Sequence, residues 1–130
     1  MPIRHLTQPD GLPPASGYSH AVIGEGTIVA ISGQLPLDAS GRLVGPAEPF
    51  TQAQQVFTNL RDALHAAGAT PADVIRLGFF VIDLDDLAAI RRARDAFLGP
   101  GPPPASSLVQ VAGLVVPGAR VEIDALAVIA

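Results

Sequence analysis

Glu122 and Asp124 stand two residues apart in an otherwise apolar run, Val121-Glu122-Ile123-Asp124-Ala125-Leu126-Ala127-Val128. In an extended strand residues i and i+2 share a face. Both carboxylates therefore leave one side of a strand that otherwise belongs in a core. A carboxylate held in such surroundings can position or deprotonate a water; the other reading is a pair of solvated acids on an exposed strand face. Tyr18, the only tyrosine, can orient a ligand through its hydroxyl, or pack in the core with that hydroxyl satisfied. Ser106 and Ser107 lack a recognisable base and orienting group, which argues against a serine hydrolase. His20 reads as a structural histidine in a strand, and His5 and His65 as incidental. No set of His, Asp and Glu has the spacing of metal ligands, and no glycine-rich phosphate loop is present.

Composition narrows the chemistry further. All eight basic residues are arginine, so lysine Schiff-base chemistry, including an internal aldimine to pyridoxal phosphate, is excluded. The chain has no cysteine, which removes disulfides, thiolate catalysis and cysteine-ligated metals. A cytoplasmic location fits that absence. The net charge is −4, and only Arg91, Arg92 and Arg94 cluster. Phosphate neutralisation supplies most nucleic-acid affinity, so no nucleic-acid partner is expected. Met1-Pro2-Ile3-Arg4-His5 shows no apolar targeting run, and runs such as Leu114-Val115-Val116 are far too short for a membrane span. The 130 residues suit one domain, 1–130. Hydrophobic residues are 48% and charged residues only 15%, a surface poor in charge that suits burial between subunits.

These candidate residues need a scaffold, and the pattern supplies one. Residues 7–17 read as a Pro/Gly/Ser-rich loop. Residues 18–23 and 27–31 read as two strands of a hairpin around Gly24-Glu25-Gly26. Gly33 follows, then a turn at Asp38-Ala39-Ser40-Gly41. Over 49–67, Phe50, Ala53, Val56, Phe57, Leu60, Leu64 and Ala67 form one apolar stripe of a helix, with Gly68 as its C-terminal cap. Thr70-Pro71-Ala72-Asp73 reads as a short capped helical turn. Residues 74–82 are apolar on both faces, as a central strand requires. Asp83 caps a second helix with Leu87, Ile90 and Phe97 inward. The proline loop 99–104 ends it, and strands near 107–112 and 120–128 follow. Strands and helices in this order predict a two-layer α+β domain, with two helices covering one face of a mixed sheet.

Several stretches in this order resemble the RidA (YjgF-type) family: Tyr18-Ser19-His20-Ala21-Val22, Ile31-Ser32-Gly33-Gln34-Leu35-Pro36-Leu37-Asp38, Gln52 to Gly68, Asp73-Val74-Ile75 and Val81-Ile82-Asp83-Leu84. The C-terminal pair Pro104-Ala105-Ser106-Ser107-Leu108-Val109 and Arg120-Val121-Glu122-Ile123-Asp124-Ala125 completes the resemblance, which covers roughly 15–129. It implies a chorismate-mutase-like fold and a homotrimer with clefts at the subunit interfaces. It also implies hydrolysis of small enamines or imines to a carbonyl compound and ammonia, with no metal or organic cofactor. Glu122 matches the family's water-positioning glutamate. Tyr18 matches its pocket tyrosine, and Ser32 and Gly33 the loop that offers backbone groups to the ligand. Ser106 stands where the family carries a carboxylate-gripping arginine. Leu108 replaces a Thr or Cys, and Arg91 an asparagine of the second helix. Serine cannot make the two parallel charge-assisted bonds of a guanidinium, so altered substrate specificity is expected. Arg91 could supply the missing cation from the helix, or pair with Asp95 on a solvated surface. A non-catalytic small-molecule binding module using the same cleft is the alternative to an enzyme.

Overall fold

The computed structural model describes residues 3–130; Met1 and Pro2, the first residues of the segment read as free of a targeting run, lie outside them. Among the described residues six strands form: β1 (Arg4–Leu6), β2 (Ala21–Ile23), β3 (Thr27–Gln34), β4 (Val74–Val81), β5 (Ala105–Gln110) and β6 (Val121–Ile129). Helix α1 (Pro49–Ala66) follows β3, and helix α2 (Leu87–Leu98) follows β4. The main sheet has the order β3-β6-β4-β5, antiparallel except for the β4–β5 pair. This is the expected two-layer α+β domain with a mixed sheet. No helix among the described residues is long and apolar enough to cross a membrane.

The alternation of side chains explains the layering. On β6, Val121, Ile123, Ala125 and Ala127 are buried, and so are Leu77 and Phe79 of the neighbouring β4. Against this face lie Ala53, Val56, Phe57, Leu60 and Leu64 of α1, and Ile90, Ala93 and Phe97 of α2. Fully burying a leucine or phenylalanine stabilises by about 1.5–3 kcal/mol, so these side chains dominate the fold. The Phe57 ring sits between Phe79 and Phe97, at centroid distances of 6.4 and 4.8 Å. Strand β4 lies between β6 and β5, the central position that its two apolar faces required.

Local chemistry sets the element ends. Thr70 and Asp73 form a reciprocal capping box around the 3-10 turn Pro71–Asp73. The Asp83 carboxylate accepts from the Asp85 amide and caps a second 3-10 turn that leads into α2. Gly68 has φ +83, the left-handed conformation that ends α1.

One expectation fails. Residues 18–23 and 27–31 do not pair as a hairpin. Ala21–Ile23 pairs with Arg4–Leu6, a strand with no period-2 signal of its own, and β3 pairs with β6. Pairing with β6 buries Ile31 and partly buries Val29 under the helices, a long-range gain that a local pattern cannot express. The last two strands also begin and end slightly differently, at Ala105–Gln110 and Val121–Ile129.

Candidate functional site

The β3–β6 register breaks between Ile31 and Gln34. An extra residue in one strand of an antiparallel pair bends it and re-aims its side chains. Here the break brings the Gly33 backbone under the Glu122 side chain. A Cβ added at Gly33 would lie 1.9 Å from Glu122 Oε2 and 2.7 Å from its Cδ. Gly33 is thus needed for closeness and not for an unusual φ. Glu122 is half-buried, and the sheet alternation turns it away from the helices, on the same side as Asp124. Both acids leave one face of the strand, as their spacing implies.

The surroundings of this glycine–carboxylate contact are held by polar side chains of α1. Asn59 Nδ2 donates to the carbonyls of Leu35 and Leu37, at 3.0 and 2.9 Å, which fixes the chain just after Gly33. Gln34 Nε2 donates to the Ser32 carbonyl at 3.1 Å, while Ser32 itself is exposed. A cleft of about 570 Å³ opens beside Gly33, lined also by Gln34, Gln55 and Asn59. Gln52 is fully buried. Its amide donates to the carbonyls of Gly45 and Gly118 and accepts from the Arg120 amide. That clamps the start of β6, two residues before Glu122. The Arg120 side chain forks onto buried Asp86, with Nε 2.8 Å from Oδ2 and Nη2 3.2 Å from Oδ1, and lies 3.6 Å from Asp83. The hydrogen bond to Asp86 raises the Arg120 pKa; burial opposes it, and the charges of Asp86 and Asp83 add to it. The guanidinium therefore stays charged wherever the fold exists.

A second group of candidate residues gathers elsewhere. Tyr18 is half-buried and packs edge-on against His20, with centroids 5.2 Å apart. The next residue, Ser19, is tied to the proline loop: its amide donates to Pro104 and its hydroxyl to Pro103. This sets Tyr18 near the start of β5, where Ser106 lies. His20 Nε2 is 2.7 Å from the Pro13 carbonyl, a structural role. A cavity of about 490 Å³ adjoins this loop, lined by Gly17, Arg94, Leu98 and the prolines. Arg94, not Arg91, reaches it: a Cβ at Gly17 would meet Arg94 Nη2 at 2.8 Å. Arg94 also takes Asp95, at 2.9 Å, so the expected Arg91–Asp95 pair does not form. Arg91 is exposed and in no ion pair among the described residues.

The candidates thus fall into two half-sites. Ser106 is in register with Leu77 and Leu108 with Phe79, which puts both on the helix side of the sheet. Leu108 is half-buried and packs against the core from the same face as Ser106. Glu122 is in register with Phe80, on the opposite face. Two strands and three residues separate it from Ser106, roughly 14 Å by ordinary sheet spacings. Within one chain, Glu122 with Ser32 and Gly33 does not meet Tyr18, Ser106 or Arg91. Sequence reasoning missed Gln52, Asn59, Arg94 and Arg120. A glutamine and an asparagine on the apolar side of α1 were the signal for the first two.

A family profile described as Endoribonuclease L-PSP matches residues 9–129. The chain is 37% identical over 127 residues to protein DfrA of Myxococcus xanthus, covering 96% of this chain and 95% of that one. It is 35% identical over 130 residues to a 2-iminobutanoate/2-iminopropanoate deaminase of Dermatophagoides farinae, covering 98% of each. Among solved structures, YyfB from Yersinia pestis, a protein of unknown function of the conserved Rid family, superposes with a TM-score of 0.91. It is 39% identical and covers 99% of this chain and 100% of that one.

Proposed function

Because the chain belongs to the RidA (YjgF-type) family, we propose that it is an imine or enamine hydrolase whose substrate preference has moved away from the family's carboxylate-bearing imines. Imine deaminase chemistry is the family-level function that its relatives' names carry. In the reaction water adds to the C=N carbon, the nitrogen takes up protons and departs as ammonia, and a carbonyl compound remains. Glu122 holds the water and takes its proton. Gly33 gives the ligand access to backbone, and Tyr18 orients it. The contact between Glu122 and the side-chain-free Gly33 carries this reading, because it leaves a carboxylate beside open backbone in a half-buried setting.

The two half-sites lie on opposite faces of one sheet, so a complete cleft needs two copies of the chain. We take these copies to be neighbours in a homotrimer, with no further protein partner and no metal or organic cofactor. The exposed apolar residues on the outer sheet face, Ile28 at 71%, Val109 at 48% and Leu126 at 37% exposure, support such packing. Ser106 leaves the cleft without the family's bidentate cation, and two charge-assisted bonds of about 1.5–3 kcal/mol each are then missing for a carboxylate. Imines without a carboxylate lose nothing. An RNA substrate is disfavoured by the net charge of −4 and the absence of lysine.

The test is hydrolysis of imines generated in situ from amino acids and from carboxylate-free amines, with Glu122→Ala as the negative control. Turnover of the carboxylate-free imines, lost in the variant, is the expected result. Ligand binding with no turnover on either set would replace the enzyme with a binding module.

A further inference from the structure

The outer face of the sheet carries, besides Glu122, one cation and one anion among small and apolar residues. Arg76 of β4 is in register with Leu126 of β6, and Asp124 of β6 with Gly78 of β4. Gly78 has no side chain, so the Asp124 carboxylate lies across β4: a Cβ at Gly78 would be 2.2 Å from Asp124 Oδ1 and 3.1 Å from Arg76 Nη1. The two charges are therefore neighbours. Yet neither belongs to any of the ion pairs within 4.0 Å among the described residues. Both are half-buried and in contact with solvent, beside exposed Ile28, Ala30 and Leu126. A groove of about 390 Å³ runs between Ala30, Leu126 and these two charged side chains.

We infer that this face is covered by further copies of the chain, and that Arg76 of one copy pairs with Asp124 of the next. The inference rests on the assembly proposed above and names the contact that specifies it. Covering Ile28 and Leu126 desolvates Arg76 and Asp124 with them, and a buried unpaired charge is strongly destabilising. A surface with one cation beside one anion is complementary to itself. In a closed ring the interface is heterologous, so residue i of one copy meets residue j of the next without a two-fold axis. The pair then sets the register between neighbouring sheets. Asp124 is taken up in that contact, which leaves Glu122, the other acid on this face, free for chemistry.

The experiment measures assembly mass by sedimentation and native mass spectrometry for the wild-type chain, Arg76→Asp, Asp124→Arg and the double swap. It also includes a mixture of the two single variants, one carrying a mass label. Each single variant sets like charges against each other at every contact, and its assembly midpoint should rise by roughly 10²-fold or more. The double swap should restore assembly. In the mixture, a mixed ring of three regains two opposite-charge contacts of its three, so mixed rings should form where neither variant assembles alone. If a charge reversal prevents folding, Arg76→Gln and Asp124→Asn give the same comparison with a smaller shift. Single variants that assemble like the wild type would overturn the inference. So would rescue by the double swap with no mixed rings, because the pair would then lie within one chain. A monomeric wild type would instead overturn the proposed assembly itself.

Discussion

Gly33→Ala isolates the contact on which the proposed chemistry depends. The new methyl carbon would sit 1.9 Å from Glu122 Oε2, against 3.4 Å or more for ordinary contact. The carboxylate must retreat by about 1.5 Å. The cost to the fold is small, because Glu122 is a flexible, half-buried side chain and Gly33 lies outside the positive-φ region. An off-rotamer glutamate costs about 0.5–1.5 kcal/mol, and the restricted unfolded chain returns about 0.4–1 kcal/mol. The net change in stability should stay within about 1 kcal/mol. The effect on chemistry is much larger, since a misplacement of about 1 Å costs on the order of 10²-fold. We expect kcat to fall by about 10²-fold with KM nearly unchanged, measured on carboxylate-free imines alongside urea unfolding. Adding Glu122→Ala to Gly33→Ala should then cause no loss beyond that of Glu122→Ala alone. A further loss of similar size in the double variant would refute the placement of Glu122 as the route of the effect and assign it to the contact of the Gly33 backbone with the ligand.

Other perturbations probe the rest of the site. Ser106→Arg should raise kcat/KM for carboxylate-bearing imines by about 10²-fold or more, from two charge-assisted bonds, and leave carboxylate-free imines unchanged; steady-state kinetics on both sets checks it. Arg91→Ala should change stability by less than about 0.5 kcal/mol, because Arg91 is exposed and in no ion pair among the described residues. If Arg91 reaches the ligand across a copy interface, the same variant will lose affinity for carboxylate ligands only, read by calorimetric titration. Gln52→Leu keeps the volume but leaves the half-buried Arg120 amide without its partner, while the Gly45 carbonyl keeps the Glu48 amide and the exposed Gly118 carbonyl turns to water. At about 1–3 kcal/mol for one unsatisfied buried group, denaturant unfolding should show a loss of about 1–3 kcal/mol, with turnover falling as the start of β6 loosens.

Both helices, the central β4 and the outward pairing of Glu122 with Asp124 were legible in the sequence. Each is a short-range consequence: a 3.6-residue stripe in α1, apolar residues on both faces of β4, and period-2 alternation in β6. The cap at Gly68 and the capping box at Thr70 are local in the same way. The identity of the fold came from motifs in order along the chain, as did the expected place of Ser106, and the superposition on YyfB agrees with that fold. Strand partnership was not legible. Residues 21–23 pair with 4–6, and residues 27–34 with 123–129, because the burial of Ile31 and the partial burial of Val29 outweigh the short connection of a hairpin. The face given to Ser106 and Leu108 was decided by register with β4, since a shift of one residue would reverse every side chain of β5. So too was the division of the candidates into two half-sites. Sequence by itself determined which residues could do chemistry and which elements carry them; only the tertiary structure decided which of them meet, because sheet register and the break in β3 depend on contacts between residues far apart along the chain.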